Sequence, residues 1–137
     1  MITALVTKEK ISVDSLVESL KSKQAGAVAS FSGDVRDNDA DKDVTSLTYE
    51  IHPTAQSVIE EITHRIAAKH DVLGVAVAHR YGDIAIGETA FAVVVTAVHR
   101  GPAFAACEEI VSTVKTELPI WKHQVFADGT TEWVNSA

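Results

Sequence analysis

The stretch TAFAVVVTAVHRGP, residues 89–102, decides the fold class. Its first ten residues are almost wholly apolar and rich in β-branched side chains, which pack well on a pleated surface. A run this apolar, at this length and with this β-branched content, predicts the central strand of a sheet. It stops abruptly at His99 and Arg100, and Pro102, with its fixed φ and missing N–H, suits the first turn of a helix. Cys107, Ile110, Val111 and Val114 then recur at helical spacing until Pro119 excludes further helix.

On the C-terminal side, IWKHQVF (120–126), Asp128-Gly129 and TTEWV (130–134) have the form of a hairpin with a tight turn. On the N-terminal side, LGVAVAHR (73–80) reads as a strand and YGDIAIG (81–87) as a turn-rich connection holding a short extended piece. Pro53 opens a helix predicted to run to about Lys69, with Ala55, Val58, Ile59, Ile62 and Ile66 on one face and Glu60, Glu61, His64 and Arg65 outward. In VTSLTYEI (44–51), Leu47, Tyr49 and Ile51 alternate with Ser46, Thr48 and Glu50, the pattern of a half-buried strand.

AVASFSG (27–33) is a strand ending at a glycine, and the acidic DVRDNDADKD (34–43) is expected to be an exposed, mobile loop. ITALVT (2–7) is a short strand, and Ser12 caps a helix whose Val13, Leu16, Val17 and Leu20 form one stripe. Strands outnumber helices and several follow one another directly. The expected fold is therefore α+β: two layers, three helices and a mixed, mainly antiparallel sheet, in one domain spanning residues 1–137.

With 12 Lys plus Arg against 19 Asp plus Glu, the net charge of −7 argues against a broad nucleic-acid or anionic-membrane surface but leaves room for a local anion site. No apolar run approaches the roughly 20 residues that span a bilayer. MITALVTKEK lacks the apolar core of a signal peptide, so a cytoplasmic setting is expected. Cys107 is the only cysteine, which excludes an internal disulfide and a clustered cysteine metal site; its helical setting in AFAACEEIV predicts a buried structural thiol. HExxH, P-loop and dinucleotide fingerprints are missing. The run Asp34, Asp37, Asp39, Asp41, Asp43 lacks the turn glycine and terminal glutamate of a calcium loop, and no metal site is expected.

What remains is cationic and sits at element ends. Arg36 follows a strand, His99 and Arg100 follow the central strand, Lys115 lies late in the last helix, and Lys122 is near the start of the closing hairpin. Element ends can converge on one sheet edge, where forked Arg donors hold a phosphate or carboxylate. A lysine among other cations has a lowered pKa and becomes a candidate proton carrier or nucleophile. Singly, each residue also reads as a surface charge, a strand-end cap or, for Lys115, a partner of the helix dipole.

Five segments in order resemble the large, catalytic subunits of molybdopterin synthase, the MoaE family: GAVASFSGDVR (26–36), LTYEIHP (47–53), VAHRYGDIAIGE (77–88), VTAVHRGPAFAAC (95–107) and VKTELPIWKHQVF (114–126). The His-Arg after the valine-rich strand and the K-T-x-x-P-x-W-K arrangement from Lys115 to Lys122 are the most specific. The resemblance implies a hammerhead-like fold and an enzyme that converts cyclic pyranopterin monophosphate into molybdopterin by installing a dithiolene. It implies a small ubiquitin-like sulfur-carrier partner whose C-terminal Gly-Gly tail brings each sulfur as a thiocarboxylate. It also implies a central dimer of catalytic subunits within a heterotetramer, and no metal or other cofactor for this step.

Carried over by position, Lys115 is the acid or base nearest the thiocarboxylate and Lys122 binds substrate and transfers protons beside it. His99 and Arg100 contact the pterin and its phosphate, Asp34, Val35 and Arg36 bind substrate from the other side, and His123 and Gln124 help form the pocket wall. Because the partner carries the sulfur, no catalytic cysteine is required. Three features depart from the family pattern. Asp34 replaces a residue that is basic in many relatives, so its backbone alone is expected to line the pocket; the loop over 37–43 is unusually acidic; and some relatives carry a longer basic tail. Two other functions compete: a non-catalytic phosphometabolite-binding protein, in which the same cations only hold an anionic ligand, and a module that binds a ubiquitin-like protein at a sheet edge, which has no need for Arg36, His99 and Arg100 to be cationic.

Overall fold

The computed structural model describes residues 1–137. Its elements run β1 (Ile2–Thr7), α1 (Val13–Ser19), β2 (Ala27–Asp34), β3 (Asn38–Asp39), β4 (Lys42–Ile51), α2 (Ala55–Ala67), β5 (Gly74–Arg80), β6 (Gly82–Ile84), β7 (Thr89–Ala97), α3 (Arg100–Glu117), β8 (Ile120–Phe126) and β9 (Thr131–Val134). Three helices and mixed, mainly antiparallel strands agree with the expected α+β class. The strands divide between two sheets.

The first sheet has the order β1-β5-β7-β2, with β1 parallel to β5 and the other pairs antiparallel. β7 is inside this sheet and buried along nearly its whole length, because both faces are covered. On one face Val93 and Val95 meet Ile59, Ile62 and Ile66 of α2 and Ala106, Ile110 and Val114 of α3 in the main core. On the other, Val94 and Ala76 pack with Leu20 and with Leu16 and Val17 of α1. Ser12 caps α1 as expected, its hydroxyl accepting from the Ser15 N–H at 3.3 Å. Cys107 is buried in the main core, and burial pushes its thiol pKa up, so its role is packing.

The second sheet has the order β3-β4-β8-β9, with β6 also paired to β4. The expected C-terminal hairpin is present as β8 and β9, turning at Gly129 with φ +86. α3 begins at Arg100, before Pro102, so His99 becomes its N-cap residue.

The acidic segment over 34–43 is not the open loop expected from its composition. Asn38 and Asp39 pair with Asp43 and Lys42 across Ala40 and Asp41, which adopt φ values of 50° and 64°. Positive φ at both central positions gives a two-residue hairpin turn whose twist matches that of the flanking strands. The turn is anchored by Val44 N–H donating to the Asp37 carbonyl at 2.8 Å and by Gln124 Nε2 donating to Asp39 Oδ2 at 2.7 Å. Ala40 is not a residue that announces such a turn, and the segment has no apolar alternation.

Candidate functional site

A solvent-open cavity of about 160 Å³ lies where the two sheets meet. Gly33, Ala90 and Phe91 line it from the first sheet; Leu47, Tyr49, Lys122 and Gln124 line it from the second. The segment from Asp34 to Asp39 forms one side, Lys115 enters from the last turn of α3, and Ala137 lies against it. Pro119 stops α3 and lets the chain return as β8, so that Lys115 and Lys122 reach the same space. On β8 the strand alternation places Lys122 and Gln124 on the pocket face.

Lys115 Nζ donates to the Ala137 carbonyl at 3.3 Å. Its pKa is lowered, first by loss of surrounding water and then by the charge of Lys122. The sequence suggested neighbouring cations as the cause; desolvation is the larger one. Tyr49, on the pocket floor, has its phenol pushed up to about 12 by burial.

Behind Tyr49 and Phe91 lies His79, fully buried, with its ring edge-on to Tyr49 at 4.9 Å and stacked on Phe91 at 5.2 Å between centroids. His79 Nδ1 lies 2.7 Å from the Arg80 carbonyl, which can only accept, so Nδ1 carries the proton. Nε2 is then an acceptor without a partner. Burial pushes the imidazole pKa down to about 4, the Arg80 hydrogen bond opposing and the charge of Lys115 adding to the fall. His79 is thus a neutral prop under the two pocket rings.

Arg36 extends outward, its side chain 78% exposed, with Nη2 3.8 Å from Asp39 Oδ1. Asp39 also accepts from Gln124, so one carboxylate links the arginine to the second sheet. The Asp34 carboxylate accepts from Ser32 Oγ at 2.6 Å and Thr89 Oγ1 at 2.9 Å, which engages its charge with strand hydroxyls. Val35 is buried and held by backbone hydrogen bonds to Gly87 and Glu88.

Of the residues predicted from sequence, Asp34, Val35, Arg36, Lys115, Lys122 and Gln124 come together at this cavity. His99, Arg100 and His123 do not. His123 points to the other face of β8, where it stacks on Trp133 at 4.4 Å, because adjacent strand residues face opposite ways. His99 and Arg100 are exposed at the N-terminus of α3. At about 1.5 Å per residue they stand roughly 22 Å along the helix from Lys115. Sequence reasoning missed Asp39, hidden in an acidic run, and the pocket roles of Tyr49 and Phe91, which look like ordinary core residues. Tyr49 had one available signal, a phenol on the inward side of an alternating strand.

No group of three or more His, Cys, Asp or Glu side chains is placed to hold a metal ion. No helix is long and apolar enough to cross a membrane.

Residues 6–117 match the family model described as MoaE protein. The chain is 37% identical over 129 residues to a molybdopterin synthase catalytic subunit of Aspergillus niger, covering 93% of this chain and 72% of that protein. It is 36% identical over 130 residues to molybdopterin synthase catalytic subunit 1 of Mycobacterium tuberculosis, covering 94% of this chain and 88% of that one. The crystal structure of molybdopterin synthase from Staphylococcus aureus superposes with a TM-score of 0.86 at 28% identity, covering 94% of both chains. With the family model spanning most of its length and relatives matching nearly all of it, the chain belongs to the MoaE family of molybdopterin synthase catalytic subunits.

Proposed function

We propose that the chain transfers sulfur from the C-terminal thiocarboxylate of a small ubiquitin-like carrier to cyclic pyranopterin monophosphate, building the dithiolene of molybdopterin in a cytoplasmic setting. The family supplies the reaction class. The observation that carries the residue assignment is one pocket holding both Lys115 and Lys122, with the proton affinity of Lys115 lowered.

The chemistry asks for such a pair. A thiocarboxylate sulfur bonds to a pterin carbon as a carbon–oxygen bond breaks; a hydroxyl oxygen departs with a proton as water, and an oxygen esterified to phosphate departs on the phosphate. Water then cleaves the acyl–sulfur link, leaving a thiolate on the pterin and a carboxylate on the carrier. Both steps build negative charge on oxygen, which fixed cations stabilise, and both move protons. Lys115, with its lowered proton affinity, is assigned the proton transfers, Lys122 the developing charge beside it, and Arg36 the substrate phosphate. A cavity of about 160 Å³ suits a Gly-Gly tail, which has no side chains to accommodate.

His99 and Arg100 fit this reading when a second copy of the chain supplies them. Supporting this are their exposure at the far end of α3 and the flanking apolar side chains of Val98 and Phe104, 45% and 65% exposed, which self-association would cover.

The test is product formation from cyclic pyranopterin monophosphate and thiocarboxylated carrier, by the parent and by a folded Lys115→Ala variant. Dithiolene from the parent and about a hundredfold less or lower from the variant supports the reading, the usual scale for losing a general acid or base. No product from a folded parent supplied with its carrier overturns it in favour of a binding module; equal product from both removes Lys115 from the chemistry.

A further inference from the structure

Arg80 is only 7% exposed, yet its Nε has no hydrogen-bond partner and its ion pair is a single contact, Nη1 to Glu88 Oε1 at 3.5 Å. Burying a guanidinium with so few partners is costly, and Glu88 is the one side chain that offsets the cost.

Glu88 closes a turn. Its N–H donates to the Ala85 carbonyl at 3.0 Å, and its Oε1 accepts from the Ala85 N–H at 3.1 Å. Gly87 has φ +87, the left-handed value that a type II turn places at its third residue. The backbone of the same turn grips the pocket edge: Val35 N–H donates to the Glu88 carbonyl at 3.0 Å and Gly87 N–H donates to the Val35 carbonyl at 2.8 Å. The β2–β7 register shifts between Gly33 and Asp34 and the ladder ends at Asp34, so Val35 depends on this turn for its backbone partners. The next residue is Arg36.

We propose that Arg80 and Glu88 are positioning residues for the anion-binding side of the pocket: Arg80, 3.5 Å from Oε1, orients Glu88 together with the exposed Lys10, 3.1 Å from Oε2, Glu88 closes the turn over residues 85–88, and the turn fixes Val35 and hence the place from which Arg36 presents its guanidinium. The proposal deepens the sulfurtransferase reading and rests on it for the identity of the anion. Neither residue touches substrate.

A double-mutant cycle of Glu88→Ala and Arg36→Ala tests it, read by NMR titration with inorganic phosphate and by steady-state sulfur transfer. Phosphate affinity is expected to fall about fivefold in Glu88→Ala, at least as far in Arg36→Ala, and no further in the double variant, since residues acting through one another are not additive. In turnover, KM for the pterin monophosphate rises with Glu88→Ala while kcat changes little, and Glu88→Gln, which retains an acceptor for the Ala85 N–H, recovers part of the loss. Additive losses, or a fall in kcat at unchanged KM, overturn the proposal. Should Glu88→Ala not fold, Arg80→Lys enters the same cycle with the same expected non-additivity. A non-additive phosphate cycle in a parent that makes no molybdopterin upholds the positioning device and sinks the sulfurtransferase reading; a folded parent that does not bind phosphate overturns the device.

Discussion

Lys115 in the last turn of α3 and Lys122 on β8 stand on opposite sides of the Pro119 break and share one pocket, where the charge of Lys122 adds to desolvation in lowering the Lys115 pKa. Lys122→Met removes the second cause, so the Lys115 pKa should rise and the limb of any residual activity that follows Lys115 should move to higher pH. Lys122→Arg keeps the charge and should leave the limb in place. An NMR titration of the Lys115 side chain checks this directly; an unchanged midpoint in Lys122→Met would show that the two charges are not coupled.

Arg36 contributes little to the fold, because its side chain is 78% exposed and its one ion pair is 3.8 Å long. Arg36→Ala should change unfolding free energy by less than about 0.5 kcal/mol. The same variant should weaken binding of a phosphorylated substrate about tenfold, the scale of one charge-assisted hydrogen bond. Thermal unfolding beside a binding isotherm separates the two effects, and a large loss of stability would contradict the assignment.

If a second copy supplies Arg100, inactive Arg100→Ala and Lys115→Ala proteins should complement each other. Mixing them to exchange subunits creates one intact site per mixed dimer, so about a quarter of the parental sites return at equal proportions. Activity that stays at the sum of the separate variants places Arg100 outside the site.

His79 makes stability depend on pH. Its folded pKa, about 4, lies below the ordinary 6.5, so the unfolded chain takes up a proton that the folded one resists. The contribution is fully present above pH 6.5 and is lost as pH falls toward 4, a change of about 3 kcal/mol. Urea unfolding across that window should show a shallower decline for His79→Phe than for the parent. Equal slopes would mean that the imidazole is not held neutral by the fold.

The turn at Ala40 and Asp41 holds two non-glycine residues at positive φ. Replacing them with Asn and Gly, which take these angles readily, should stabilise the protein by about 0.5–1 kcal/mol. Calorimetry reads the gain as a higher Tm; a lower Tm would indicate that the side chains present make contacts worth more than the relieved strain.

These cases also show what could be read from residues alone. The β7 strand, the α3 helix and the β8–β9 hairpin were legible because local pattern and tertiary burial agree: a long β-branched run, an apolar helical stripe and an Asp-Gly turn. The division into two sheets was not, since strand pairing joins segments far apart in the chain. In the site, Lys115, Lys122 and Arg36 stood out as cations at element ends. The family resemblance implies that His123 helps form the pocket wall, whereas the pleat turns it away toward Trp133. Asp39 was hidden because nothing local distinguishes it from the aspartates around it; its importance comes from Gln124, which lies far along the chain.

The cavity draws its walls from both sheets, with Phe91 on one side and Lys122 and Gln124 on the other. The two sheets share no strand, so the cavity is a seam between them as well as a container. A molecule gripping both walls becomes a cross-brace, so occupancy is felt as slowed amide exchange along β7 and β8 together, well beyond the residues it touches.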